Sequence, residues 1–516
     1  MDLRGTLISE GLLRSLTDAV RDEHGRVRFG AVLFDRATFA CTAFFDKARF
    51  TGAARFDKAV FEGEALFSDT VFEDRAWFAE ASFNSTAMFS DTNFNGPAWF
   101  DHSTSRGRAW FARCTFRDEA WFAETSFTAG AWFDGATFYE DVRFDFATFD
   151  TDVQLGPMVC AKEVNLSRAS FLVPALVEAS ATAVVCRQTH WASAATLRLR
   201  HATLDLTDAV TGGPLKVAFH PQPFVGRQRA IPLAETLLPA RPETLQVTSV
   251  SGLDASHLVL IDADLTHCAF SATVHLDQIR LEGHCTFAPA PSGLRPHRGR
   301  LIWWTTRHTL AEEHHWRAAQ GFPGWTPPAA GIRALTPHAL APIYRHLRKS
   351  FEDAKNEPDA ADFYYGEMEM RRHDRLRPRS ERVLLALYWA VSGYGLRASR
   401  ALAWLVAAMT VTLLLLMGLG LPDQAPKQEI KHVTIAGKES LILDKPDPRL
   451  SSPLASRFTA KRLDQAVQVL ANSVVFRSSG QNLTTRGTYI EMASRAFEPV
   501  LLALSVLAVR GRIKRG

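Results

Sequence analysis

Cysteine is scarce in this chain and follows no pattern. The six residues, at positions 41, 114, 160, 186, 268 and 285, include no CxxC pair and no regular spacing. That argues against a disulfide frame and for reduced thiols in a cytoplasmic domain. Charge of one sign is also in short supply: the formal net charge is +4 over 516 residues, which selects no particular partner. The opening segment, MDLRGTLISEGLLRSLTDAVRDEHG, lacks a continuous apolar run and carries several acids, so it does not read as a signal peptide. Its Leu7, Leu12, Leu13, Leu16 and Val20 instead suit a short amphipathic helix, and residues 1–28 are expected to form an N-terminal cap on the next domain. Enzyme signatures are missing as well, with no GxSxG, Walker A or HExxH. Gly393, Gly395 and Ala398 imitate part of a dinucleotide fingerprint, but they precede an apolar span and come after no strand. The expectation is a protein that is not an enzyme, with no cofactor and no metal.

Aromatic residues, by contrast, are abundant, with 35 Phe and 12 Trp. Phe34, Phe39, Phe45, Phe50, Phe56, Phe61, Phe67, Phe72, Phe78, Phe83, Phe89, Phe94 and Phe100 fall alternately five and six residues apart. After a slip at Ser105 the register resumes from Phe111 to Phe149, then degrades through Leu155, Cys160, Leu166 and Phe171. Two residues before most of these Phe stands a small residue, as at Ala37, Ala43, Ala48 and Ala54. Neither a helical nor a plain alternating period yields such a beat. A coil with four short sides does, each side turning one large and one small residue toward the axis. Stacked at the ~4.8 Å strand spacing, such coils set each Phe on the Phe of the next.

This pattern resembles the pentapeptide-repeat family, in which a small residue, a spacer and a central Leu or Phe recur. The resemblance implies a mainly β protein: a right-handed quadrilateral parallel β-helix over residues 29–175. The all-Phe centre and the extra residue on alternate sides, which give 22 residues per coil, depart from the family pattern. The beat returns at Leu265, Phe270, Leu276, Leu281 and Phe287, with Cys268 and Cys285 in the small slot. Residues 176–290 are therefore expected to hold a second, irregular β-helix segment, interrupted by a Pro-rich loop insertion at 211–248.

The residue before each Phe points outward. On the six-residue sides these residues divide between two opposite faces. One carries Phe44, Leu66, Met88, Trp110 and Trp132; the other carries Arg55, Trp77, Trp99, Trp121 and Arg143. Apolar stripes of this length are expected either to pack and self-stack within the chain or to meet a protein partner, another copy, or a membrane surface. Residues 30–150 hold 19 acids against 11 bases, a net charge of −8. Some pentapeptide-repeat proteins imitate the acidic rod of DNA and bind type II topoisomerases, so the resemblance carries that reading too; other contact with nucleic acid is not expected.

Past Pro289 the composition turns helical. Leu301–Gln320 reads as a helix that sets His308, Glu312 and His315 on one face, with Trp316 beside them favouring packing over a metal. Two further helices, Pro337–Lys355 and Ala360–His373, form a hairpin similar to a tetratricopeptide unit. Residues 300–377 are thus expected to be an α-helical adaptor. The membrane region spans 383–516. Ala401–Leu421 gives 21 uncharged residues, enough for ~30 Å of hydrocarbon. Arg397 and Arg400 precede it and Asp423 comes after it, which puts its N-terminal side, and the β-helix, in the cytoplasm. Val383–Tyr394 is suited to the interface, with Tyr388 and Trp389 at headgroup depth. Residues 422–490 form an extracytoplasmic loop and 494–509 a second candidate transmembrane helix.

Two membrane helices and the loop between them resemble the pore module of tetrameric cation channels. That resemblance assigns Leu463–Val475 as pore helix and Phe476-Arg477-Ser478-Ser479-Gly480-Gln481-Asn482 as filter. A single glycine and an arginine there imply a degenerate pore. The function expected is a membrane-anchored, non-enzymatic scaffold that binds a protein partner through Trp77, Trp99, Trp121, Trp110 and Trp132. The alternatives are a degenerate channel-like homo-oligomer and a DNA-mimic binder of a type II topoisomerase.

Overall fold

The computed structural model describes the chain apart from residues 152, 228–230, 239–242, 298–299, 305, 330, 332, 424–428, 436–437, 445–449, 451, 477–482 and 514–516. It divides into two compact units, Met1–Gly366 and Glu367–Gly516.

The first unit is built on a parallel β-helix of about 11 turns. Strands of two residues, one per side, complete each circuit: Val32–Leu33, Thr38–Phe39, Ala43–Phe44 and Arg49–Phe50, before Ala54–Arg55 starts the next. These sides define faces one to four. Each strand pairs in parallel with its equivalent 22 residues on, as Phe39 with Phe61 and Phe61 with Phe83. Below the first circuit, Leu7–Ile8 adds a rung to face two, and helix α1 (Glu10–Ala19) comes next, its N-terminus capped by the Ser9 side chain.

The five/six beat has a backbone cause. Every five-residue interval contains a tight corner with one residue in the left-handed region: Arg36, Lys47, Lys58, Asp69, Glu80, Asp91, His102, Arg113 and Glu124 recur every eleven residues. The six-residue intervals turn without one, apart from Gly130 at φ 102° between Phe127 and Phe133. Gly107 stands at such a corner, where a Cβ would lie 2.1 Å from the carbonyl carbon of Ser85 in the coil before. Inside, Phe34, Phe39, Phe45, Phe50, Phe56, Phe61, Phe67, Phe72, Phe78 and Phe83 are all buried. Rings of one face stack, as Phe39 on Phe61 at 4.7 Å and 6°. Rings of opposite faces meet edge-on across the axis, as Phe67 of face three with Phe78 of face one at 5.5 Å and 86°. Stacked and edge-to-face contacts are the two favoured aromatic geometries, and the coil supplies both at once. Buried hydroxyls in the small slot are paired: Thr70 and Thr92 donate to the carbonyls of Phe45 and Phe67.

Three sequence readings change here. Ser105 is no slip: it pairs in register between Phe83 and Phe127 and takes a Phe position in the face-two column. The decay after Phe149 is a shortening of the coil. Phe171 pairs with Trp191 twenty residues on, and the strands Val153–Asn165 and Ala175–Val185 run straight past former corners, with register shifts after Leu155 and Cys160. The stack from 29 to 282 is therefore one continuous helix, not two segments. The insertion is also narrower than 211–248, because Val210–Thr211 and Leu215–Phe219 still belong to coils and Leu245–Ser249 resumes them. The excursion between them is latched to the coils. Glu235 accepts from Ser180 (2.5 Å) and Arg200 (2.9 Å), and Arg227 bonds Asp134 (3.0 Å) and Glu178 (2.6 Å).

The last coils are closed by helices. Leu301–Gln320 is not one helix: Arg300–Trp304 pairs antiparallel with Gly293–His297, and only Ala311–Ala319 (α2) is helical. Helix α3 (Pro337–Asp353) and the start of α4 (Glu357–His373) pack with it. Phe287 meets Phe351 and Phe363 edge-on, and Ser350 donates to the carbonyl of Ile279 at 2.7 Å. Glu312 accepts the Phe270 amide at 2.5 Å. These helices thus satisfy and cover the open end of the β-helix, a role beyond that of an adaptor. At their centre Glu313, wholly buried, is bonded by Arg307 (2.6 Å), Arg317 (2.6 Å) and Tyr344. Burial pushes the Glu313 carboxyl up, but the two guanidinium groups outweigh it and hold the group at about 2.

The second unit is helical. Helix α5 (Arg379–Ser392) leads through Gly393, left-handed at φ 55°, to α6 (Ala398–Leu415), whose last turn widens to a π-helix at Leu416–Gly420. A hairpin of Glu429–Ile435 and Lys438–Asp444 comes next, then α7 (Ala460–Phe476) and α8 (Thr485–Ile513). The loop therefore ends at 484, short of the 490 read from sequence. Ala398–Gly420 and Thr485–Val509, 23 and 25 residues long, are both long and apolar enough to cross a membrane. The second is longer than the 494–509 read from sequence because its charges are accommodated. Glu491 pairs with Arg495, and Glu498 accepts from Thr412 of α6 at 2.7 Å. Helices α6 and α8 approach closely: a Cβ on Gly487 would lie 2.5 Å from the Gly420 carbonyl oxygen. Helix α7 packs on both, with Ala466 and Val469 against Leu416, Met417 and Leu421. Arg457 and Arg462 donate to the carbonyls of Gly418 (2.7 Å) and Leu421 (2.6 Å), neutralising the negative end of α6. Of the filter assignment, residues 477–482 lie outside the described residues.

Candidate interaction surface

The outward residues of faces one and three form two ladders with different chemistry. Parallel pairing in exact 22-residue register places like residues side by side, so a stripe in sequence becomes a stripe in space. On face one, Arg55, Trp77, Trp99, Trp121 and Arg143 are consecutive rungs. Trp77 and Trp99 stack at 5.1 Å and 12°. Both ends are closed by cations: Arg55 lies 5.6 Å from the Trp77 ring and Arg143 4.3 Å from that of Trp121. Trp121 Nε1 donates to Glu119 at 2.9 Å, and Arg55 pairs with Asp35 at 2.8 Å. This ladder is saturated by its own neighbours, since a guanidinium over an indole face satisfies both groups.

On face three the rungs are Phe44, Leu66, Met88, Trp110 and Trp132. Trp110 and Trp132 stack at 4.4 Å and 14°. Among the described residues no cation lies over either indole. Four of the five rungs are half-buried, while Phe44 is 54% exposed. At the Phe44 end, α1 leaves a groove of about 480 Å³ lined by Glu10, Leu13, Arg14, Thr17, Asp18 and Arg21. At the other end the ladder turns polar, with Gln154 beneath Trp132. The apolar stripe is thus bounded on the molecule, exposed at Phe44 and half-buried along the other four rungs. The five tryptophans singled out in sequence separate into two sets on opposite faces, Trp77, Trp99 and Trp121 against Trp110 and Trp132. The difference comes from Arg55 and Arg143, which a reading of the aromatics alone does not weigh.

The acidic excess is partly consumed between coils. Asp91 pairs with Arg113 (2.5 Å) and Glu80 with Lys58 (3.2 Å) along the left-handed corners. The thiols take no part in any site. All six cysteines are unpaired, and burial pushes Cys160 up to about 12. His308, Glu312 and His315 do not converge: His308 bonds Asp359 at 2.6 Å, whereas Glu312 turns to the Phe270 amide. Among the described residues no three His, Cys, Asp or Glu side chains are grouped to hold a metal.

Compared with known families, residues 56–104 and 111–156 match the model for pentapeptide repeats, in nine copies. The break in that match brackets Ser105, where the structure keeps the coil and only the central residue changes. Comparison with curated proteins and with solved structures gives no match. The match and the four-sided coil agree over the same residues: the coils between residues 56 and 156 are pentapeptide repeats.

Proposed function

We propose that the chain is a membrane-anchored scaffold that binds a protein partner along face three of its β-helix, without catalysis. The observation that carries this reading is the contrast between the two ladders. Face one closes its tryptophans with Arg55 and Arg143, while on face three, among the described residues, no guanidinium caps the apolar stripe of Phe44, Leu66, Met88, Trp110 and Trp132. A continuous apolar stripe on an otherwise charged rod is the feature that a binding partner would use. A rigid solenoid suits such a role because its outer surface holds a fixed spacing over many coils. The two apolar helices supply the anchor, and Arg397 and Arg400 before α6 favour a cytoplasmic β-helix. The test is affinity capture with the detergent-solubilised full-length protein. A partner held by the wild type and lost with Trp110→Ser/Trp132→Ser, but retained with Trp77→Ser/Trp99→Ser, supports the reading. Equal loss with both pairs argues against it.

One observation favours a second reading. Helix α7 packs between the ends of α6 and α8 over Ala460–Phe476, close to the pore-helix position of a two-helix channel. A degenerate channel-like assembly would then run as a tetramer, and a monomer in mild detergent argues against it. The DNA-mimic reading gains less support, because corner carboxylates such as Asp91 and Glu80 are engaged by bases of adjacent coils.

A further inference from the structure

The aromatic residues of helix α5 are engaged by their neighbours. Trp389 lies between two guanidinium groups, Arg372 at 4.4 Å and Arg400 at 5.0 Å from its ring. Arg400 also donates to the Trp389 carbonyl at 2.9 Å, and Trp404 Nε1 to the Ala390 carbonyl at 3.1 Å. Tyr388 packs edge-on against Tyr394 at 5.8 Å. These contacts pin α5 to the base of α6 and fix which edge faces away. That edge carries Val383, Leu384 and Leu387, exposed by 58, 67 and 58%, preceded by Leu376 at 78%. Arg379, Val383 and Leu387 stand at i, i+4 and i+8, so one cation and the apolar residues share a ridge. Arg375 stands beside Leu376 in the turn before the helix. Both Arg375 and Arg379 are exposed, and among the described residues neither makes an ion pair.

Their neighbours are committed differently. Arg377 is bound to Glu381 and Arg372 to Glu369, and Arg371 pairs with Glu367. Residues 367–400 hold eight arginines against four acids, Glu367, Glu369, Asp374 and Glu381, a net charge of +4. Between the end of α5 and the start of α6 lie five residues, a reach of at most ~18 Å. If α6 spans the bilayer, α5 is held within that distance of the headgroups. An exposed apolar edge flanked by unpaired cations at that depth fits an anionic lipid surface.

We propose that α5 is an interfacial helix that recognises anionic phospholipid headgroups: Leu376, Val383, Leu384 and Leu387 enter the acyl boundary while Arg375 and Arg379 bind lipid phosphates. The inference rests on the membrane reading of α6 and α8. A basic side chain near an anionic surface is worth roughly a fivefold preference, so the pair accounts for about 25-fold between anionic and neutral lipid.

The test uses the full-length chain in nanodiscs of phosphatidylcholine alone and of phosphatidylcholine with phosphatidylglycerol. Amide hydrogen exchange is measured over 379–392, with alkaline carbonate extraction of native membranes as a separate readout of insertion. Exchange slower in the anionic discs, with that difference abolished by Arg375→Gln/Arg379→Gln and the chain still carbonate-resistant, is the expected result. Equal exchange in the two lipids, from a carbonate-resistant chain, overturns the proposal and leaves the membrane reading standing. A lipid difference that survives the double substitution overturns the assignment to these arginines. Release of the chain by carbonate overturns the membrane reading itself, and the proposal with it.

Discussion

Phe89 shows how a single residue is held in this fold. It stacks between Phe67 at 4.9 Å and Phe111 at 5.0 Å, and meets Phe100 edge-on at 5.4 Å. Phe89→Ala is expected to cost about 3–5 kcal/mol, because the column cannot close around the gap without shifting every coil above it. Thermal unfolding monitored by far-ultraviolet circular dichroism checks this, and a change below about 1 kcal/mol would mean that the coils relax independently. Glu312 makes a different residue-scale prediction. Burial pushes its carboxyl up to about 7, the Phe270 amide drawing it only part of the way back. Its folded value therefore lies above its unfolded one, so the fold binds the extra proton between the two. Stability from this group is fully present at acidic pH and is lost as pH rises through about 7. Glu312→Gln should match the wild type near pH 4 and exceed it at pH 8 by up to about 3 kcal/mol. A difference that does not change with pH would contradict the assignment. Nothing in the local sequence marks Glu312 or Glu313 for these roles, since Phe270 and Tyr344 are 42 and 31 residues away.

At the scale of elements, legibility depends on how local the cause is. The Phe beat can be read because each side of each coil contributes one central residue within five or six positions. It fades after Phe171 because the coil drops to twenty residues and its corners straighten, so the same architecture no longer has the same period. The excursion between Phe219 and Leu245 looks longer in sequence for a related reason: proline marks irregular chain, but only pairing shows that Leu215–Phe219 still belongs to a coil. The second apolar helix looks shorter in sequence because Glu491, Arg495 and Glu498 are prohibitive until Thr412 and the Glu491–Arg495 pair are seen. Close packing of α6 on α8 depends on Gly420 and Gly487, small residues of the kind that let membrane helices approach. Gly487→Val is expected to separate the two helices at that point and lower stability in detergent by about 1–3 kcal/mol. Unchanged melting of the helical signal would show that the α6–α8 approach is not tight.

Over the whole molecule, the tryptophans visible in the sequence are not equivalent, and their difference is electrostatic. Face one spends Arg55 and Arg143 on closing its stack, while face three ends on Phe44 and Gln154 with no guanidinium over its indoles among the described residues. The sequence is compatible with both a packed and a contacting ladder; the placement of four residues that are not tryptophan separates the two. The most direct measurement is site-specific photo-crosslinking in living cells, with a benzophenone amino acid replacing Met88 or Trp110 on face three and Trp99 on face one. The account predicts a discrete crosslinked species of defined mass from Met88 and Trp110 and none from Trp99. Crosslinks of equal yield from both faces, or none from face three, would contradict the claim that this ladder is the binding surface.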